Sequence, residues 1–348
     1  MEYAPPEERD ARMQDLVSLL LSVPEKNFDP FDIYRATYDS AGHSIGADII
    51  IPRAKSSHSS RPVLVRIHGG FLVTGSSLFP AWFSKWILDF AEAQSAIIIS
   101  PDYRLLPEAK GVDIIRDMEA FWKWFHSDGP SKHLAGIGRH DITLNKNKLL
   151  LLGESAGGYL AIQSVLSGFA RPNAIVALYP MLDMKADHYT KEYYKPIVGV
   201  PNFLHKTIDD FLATLPARKA ISQADPPARL DLALASVQTG RFLELLGDEP
   251  ELFVLERIQA GNFVSKSDGR PIFPPFFILH GDEDSAVPAE GTRKFLQILD
   301  RVDPAARYRA AFRPGDHGFD SQATLEDEWL REGLDWVSSE WLADTSRM

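Results

Sequence analysis

The sequence predicts an α/β fold: a mostly parallel central sheet with helices on both faces, plus a largely helical insertion. Three observations carry this. Short, near-continuous apolar runs alternate with stretches of helical periodicity, the pattern of strands buried on both faces. The chain has 348 residues, 45% hydrophobic and 24% charged, enough to bury one large core. Residues 185–270 then break the alternation without a convincing core strand.

The elements follow in order. Residues 1–30 begin with acids and lack a basic segment, unlike a secretion signal. Met13, Leu16, Val17, Leu20 and Leu21 fall at helical spacing, so an amphipathic helix is expected there. DIYRATYD (32–39) and IGADIIIP (45–52) read as a hairpin. PVLVRIHGG (62–70) and SAIIISPDYR (95–104) read as buried strands, with a helix over 81–93 between them and a second over 113–127. KLLLLGES (148–155) is a strand and 156–170 a helix; AIVALYPML (174–182) is the next strand. Beyond the insertion come a strand at FFILHGDED (276–284), a helix over 289–302, a strand at YRAAFRPG (308–315) and a closing helix over 325–342. The expected organisation is a core in two parts, 31–184 and 271–348, interrupted by a cap over 185–270 to which the N-terminal helix contributes. The cap segment is rich in aromatic residues, among them Tyr189, Phe203 and Phe211, and loops at strand C-termini carry function in such folds.

Composition excludes several classes. The net charge of −11 offers no electrostatic footprint for nucleic acid. No run of 18 apolar residues could span a membrane. With no cysteine there are no disulfides, thiolate metal sites or cysteine nucleophile, and a reducing, cytoplasmic compartment is favoured.

The chemistry concentrates at strand ends. GESAG (153–157) fits G-x-S-x-G, with an apolar strand before it and a helical pattern after it. That pattern serves a sharp strand-to-helix turn, in which small neighbours let a strained serine stand clear at the positive end of the helix. A serine needs a base and an acid. Acids follow the strand at 276–284 as Asp282, Glu283 and Asp284; His317, in RPGDHGFD, follows the last strand, completing the order serine, acid, histidine. The glycine amides of HGGF (68–71), with that of Ala156, could receive a developing oxyanion.

HGGF, DYRLLPEA (102–109), GESAGG (153–158), HGDEDSAVP (280–288) and DHGF (316–319), in register over roughly 62–342, resemble the hormone-sensitive-lipase-like group of α/β-hydrolases, cap-bearing carboxylesterases. The resemblance implies Ser155 as nucleophile, His317 as base and Asp284 as acid, since the family's acid stands four residues after the motif histidine. It implies an oxyanion hole from Gly69, Gly70 and Ala156, no cofactor or metal, and a structural brace at DYRLLPE; Asp183 is read as structural too. Phe71 stands where a third glycine is common and could narrow an acyl pocket. Glu154 replaces the more frequent aspartate, and the stretch from Ser155 to Asp284 is longer than is common. Phe71, Glu154 and Phe203 are therefore candidate substrate contacts. The expected partner is a small-molecule ester or lactone, rather bulky and apolar. Homodimers occur in the group, and the charge does not prevent one. Thioester hydrolysis, lyase-type chemistry and a non-catalytic ligand-binding role stay open, with a peptidase disfavoured by the short chain.

Overall fold

A computed structural model of the chain describes residues 4–54, 60–263 and 271–343. Parts of the 55–62 loop, the end of the 185–270 insertion and both termini lie outside these. The strands are β1 (Phe31–Ser40), β2 (His43–Pro52), β3 (Ser60–Ile67), β4 (Ile97–Pro101), β5 (Thr143–Glu154), β6 (Ala174–Leu178), β7 (Phe276–Gly281) and β8 (Tyr308–Arg313). They form one eight-stranded sheet in the order β1-β2-β4-β3-β5-β6-β7-β8. β1 and β2 are the expected hairpin, and β2 meets β4 antiparallel; every later pairing is parallel.

The helices are α1 (Pro6–Leu21), α2 (Lys85–Ala93), α3 (Gly111–His126), α4 (Gly129–Gly136), α5 (Ala156–Leu166), α6 (Asp187–Thr190), α7 (His205–Thr214), α8 (Leu230–Gln238), α9 (Phe242–Leu246), α10 (Val254–Gln259), α11 (Ala289–Val302) and α12 (Glu328–Trp341). No described helix is long and apolar enough to cross a membrane.

Alternation along each strand divides the core in two. Leu149 and Leu151 of β5 join Phe121 of α3, Leu160 of α5 and Phe295 of α11 on one face. Leu150 and Leu152 join Trp86 of α2 and Leu334 and Trp341 of α12 on the other. Burying each leucine contributes about 1.5–3 kcal/mol. A one-residue slip of β5 would exchange the two sets, so register is firmly held.

That register aligns the functional ends. Ile67 pairs with Gly153, Glu154 with Leu178, and Leu178 with Leu279. β3, β5, β6 and β7 therefore finish level, at the edge where such sheets place ligands. The segment between β6 and β7 carries α6–α10 and no strand among its described residues. It reaches both flanks of that edge: Ala224 bridges to Gly75, and His188 bonds the carbonyl of Ala286.

Candidate active site

β5 ends one residue before Ser155, which sits at φ +54°, ψ −117°, and α5 starts one residue after it. A non-glycine residue rarely adopts this geometry. It is held by Ser155 N donating to Leu178 O at 2.8 Å and by Met181 N donating to Ser155 O at 3.1 Å. The flanking glycines are sterically required. A Cβ at Gly153 would meet Gly157 O at 2.3 Å, and one at Gly157 would meet Ile67 O at 2.1 Å.

The loop after β3 lies against this elbow: a Cβ at Gly69 would stand 3.1 Å from Ser155 Cβ. The amides of Gly69, Gly70 and Ala156 have no acceptor among the described residues. The loop is braced from below. Tyr103 stacks on His68 at 4.3 Å, and its hydroxyl reaches the carbonyls of His68 and Gly69 at 2.9 and 3.1 Å. His68 Nδ1 lies 2.8 Å from Gly69 O. Burial, then the charge of Arg66, lowers its pKa to about 3, so it is neutral and donates through Nδ1. Asp102 accepts from Ser77 N and pairs with Arg35; Arg104 pairs with Asp117, and Arg229 with Glu108. The DYRLLPE stretch is thus a web of structural bonds.

His317 Nδ1 lies 2.8 Å from Asp284 Oδ2. The other carboxylate oxygen accepts the amides of Ala286 and Val287 at 3.0 and 2.7 Å. Burial alone would raise the Asp284 pKa. The charge of His317 and hydrogen bonds from His280 and His317 outweigh it and hold the carboxyl well below its ordinary range. Burial likewise opposes charge on His317, and Asp284 overturns that, leaving the imidazole pKa above its ordinary value. With Nδ1 donating to Asp284, Nε2 carries the basic lone pair. The Tyr179 ring packs 4.4 Å from the imidazole. Tyr179 follows Leu178, the residue that accepts from Ser155 N, so one short turn touches both the serine and the histidine.

The neighbouring acids are engaged elsewhere. Asp282 pairs with Arg293, Glu283 accepts the amide of Gly315, and Asp183 pairs with Lys294. Glu154 is buried beneath the elbow, where Arg66 Nε and Nη2 donate to its two oxygens at 3.2 and 2.6 Å. Burial pushes its carboxyl up to about 7, against the pull of Arg66. Phe71 is 6% exposed, at φ +53°, inside the core face that includes α3 and α5. Phe203 is 7% exposed and lies under the Arg9 guanidinium of α1, 5.0 Å away.

Sequence reasoning did not single out Arg66, Tyr179 or Asp316. A lone charge inside the apolar run of 62–67 was a signal for Arg66; the other two have no local signature.

Residues 64–242 match the model of the alpha/beta hydrolase fold family. The chain is 33% identical over 319 residues to a probable carboxylesterase, M8, of Phoma sp., covering 86% of this chain and 92% of that one. It is 26% identical over 336 residues to the non-reducing polyketide synthase Preu6 of Preussia isomera, covering 85% of this chain and 14% of that protein. The solved structure of a Pyrobaculum calidifontis esterase superposes with a TM-score of 0.57 at 18% identity, covering 98% of this chain and 95% of that one. The chain belongs to the α/β-hydrolase fold family, in its hormone-sensitive-lipase-like, carboxylesterase-type branch.

Proposed function

We propose that the protein cleaves a carboxylic ester through an acyl-enzyme on Ser155. The observation that carries this is the 2.8 Å bond from His317 Nδ1 to Asp284, in an imidazole packed on Tyr179, the residue after the Leu178 carbonyl that holds the strained Ser155. His317 Nε2 takes the Ser155 proton as the oxygen attacks the carbonyl, and Asp284 holds the productive tautomer. The amides of Gly69, Gly70 and Ala156 receive the oxyanion; each such donor is worth about 10²–10³ in rate. The alcohol departs with the proton from His317. Water, deprotonated by the same histidine, then frees the acid and regenerates Ser155.

The substrate we favour is a rather bulky, apolar ester or lactone of small to medium size, under a cap formed by the insertion. Its aromatic content supports this. We place the protein in the cytoplasm, consistent with a chain lacking cysteine. A second reading is hydrolysis of a thioester, favoured by the similarity to part of a polyketide synthase. Matched ester and thioester of one acyl group separate the two.

The test is a fluorophosphonate probe read by intact mass. The expected result is one adduct on the wild type and none on Ser155→Ala. No adduct on folded wild-type protein would overturn the catalytic reading in favour of a ligand-binding one.

A further inference from the structure

Asp316, beside His317, has its carboxylate turned into the protein. Its Oδ1 accepts the amide of Ser285 and the amide of His317, each at 2.7 Å. The Ser285 hydroxyl lies 2.8 and 2.9 Å from the two carboxylate oxygens. Ser285 directly follows Asp284. Asp316 therefore ties the loop carrying the proposed acid to the loop carrying the proposed base, independently of the bond between them.

The tie continues into the insertion. With its proton given to Asp316, Ser285 Oγ accepts the amide of Val198 at 2.8 Å. Val198 and Gly199 form a turn closed by reciprocal bonds between Ile197 and Val200, both fully buried. Val198 sits at φ +44°, which a β-branched residue seldom adopts, so the turn is held in place by its surroundings. One residue on, His188 Nε2 lies 3.0 Å from Ala286 O; burial lowers its pKa to about 4, so it is a neutral donor. The insertion thus grips the acid loop at two consecutive residues, whose backbone also supplies an amide to Asp284.

We propose that Ser285 and Asp316 are positioning residues of the reaction, making the seating of the 197–200 turn a condition for the correct placement of His317. This rests on the serine-hydrolase reading above. Neither residue touches the reacting atoms. They act by fixing where the imidazole stands, and a displacement of about 1 Å costs on the order of 10²-fold in rate.

The charged groups facing His317 are Asp284, Asp316, Asp320 from the turn that follows, and Glu154 with its partner Arg66 from the strands behind. The Tyr179 ring covers one side. Asp316→Asn keeps an acceptor for both amides yet removes one of these charges.

The experiment compares wild type, Ser285→Ala, Ser285→Thr and Asp316→Asn for fluorophosphonate labelling rate, for kcat and KM on p-nitrophenyl butyrate from pH 5 to 9, and for thermal melting. Ser285→Ala should lower kcat and labelling about 10- to 100-fold with KM little changed. Ser285→Thr, which keeps the hydroxyl, should recover most of the loss. Asp316→Asn should move the acid limb of the pH profile down by roughly half a pH unit, because less negative charge holds the imidazolium proton. Labelling, kcat and pH midpoint unchanged in folded variants would overturn the proposal while leaving the esterase reading intact. A wild type that takes no phosphonyl group would overturn that reading instead. Should Ser285→Ala fail to fold, Asp316→Ala, which removes the acceptor for both amides, decides the matter: labelling and kcat lowered about 10-fold or more in folded protein support the proposal, and unchanged values refute it.

Discussion

His317 carries the pH dependence expected of the proposed reaction. Its pKa is raised above the ordinary 6.5 because the charge of Asp284 outweighs the cost of burial. As the proposed general base it must be neutral, so on that reading activity is lost as pH falls through the raised value. The acid limb of kcat/KM is therefore expected above pH 6.5, and a profile on p-nitrophenyl butyrate checks it; a midpoint below 6.5 would mean that Asp284 does not carry the charge that the geometry gives it. That Ser155, Asp284 and His317 stand just beyond strand ends was legible in the sequence, because each belongs to a short motif that follows an apolar run. Phe71, Glu154 and Phe203 were harder to read. Whether a side chain faces a substrate depends on register and packing, and here Glu154 meets Arg66, Phe203 meets Arg9, and Phe71 enters the core.

At the scale of elements, β3 and β5 are joined by a buried ion pair, Arg66 with Glu154, the latter directly before Ser155 in the chain. Arg66 also donates to Ser77 O at 3.1 Å and to the carbonyl of Trp82, and it lies over the Phe83 ring at 4.2 Å, so it anchors the segment following the glycine loop as well. Removing one partner leaves a buried charge uncompensated. Glu154→Gln is expected to cost about 3–5 kcal/mol, read by urea unfolding; a cost below about 1 kcal/mol would show that the pair is not needed. The main strands and helices were legible because each carries its own period. α4 was not: Gly129 and Pro130 resemble a turn, yet follow Asp128 at φ +64° and start a helix where proline fits the first turn. α6 and α10 of the insertion are too short to show a repeat, and their shape comes from what they pack on; α7 carries one at Ile208, Phe211 and Leu212, which the aromatic and proline-rich surroundings obscured.

Across the whole molecule, the two-faced core is continuous without α1. That helix has no buried residue, and Met13 and Leu16 only half-cover the core beneath it, although Leu19 and Leu21 are exposed. The expected periodicity is present, but it seats the helix on a rim. Deleting residues 1–23 should leave cooperative melting and lower Tm by roughly 2–6 °C, as expected for a loss of about 1–2 kcal/mol. Loss of the folded transition in circular dichroism would show instead that α1 is part of the core. The insertion has the opposite standing. It departs after Leu178 and returns at Phe276; because β6 and β7 are parallel, with Leu178 opposite Leu279 and Phe276 opposite Ile175, its two ends are held by the sheet itself at a fixed separation of roughly 11 Å, at opposite ends of adjacent strands. Such a segment can be rewritten in length and sequence without disturbing the strands that carry it. Descendants of one scaffold could thereby diverge in what they accept while inheriting the same serine elbow, provided each new segment still offers an amide to Ser285 and a backbone partner to Gly75.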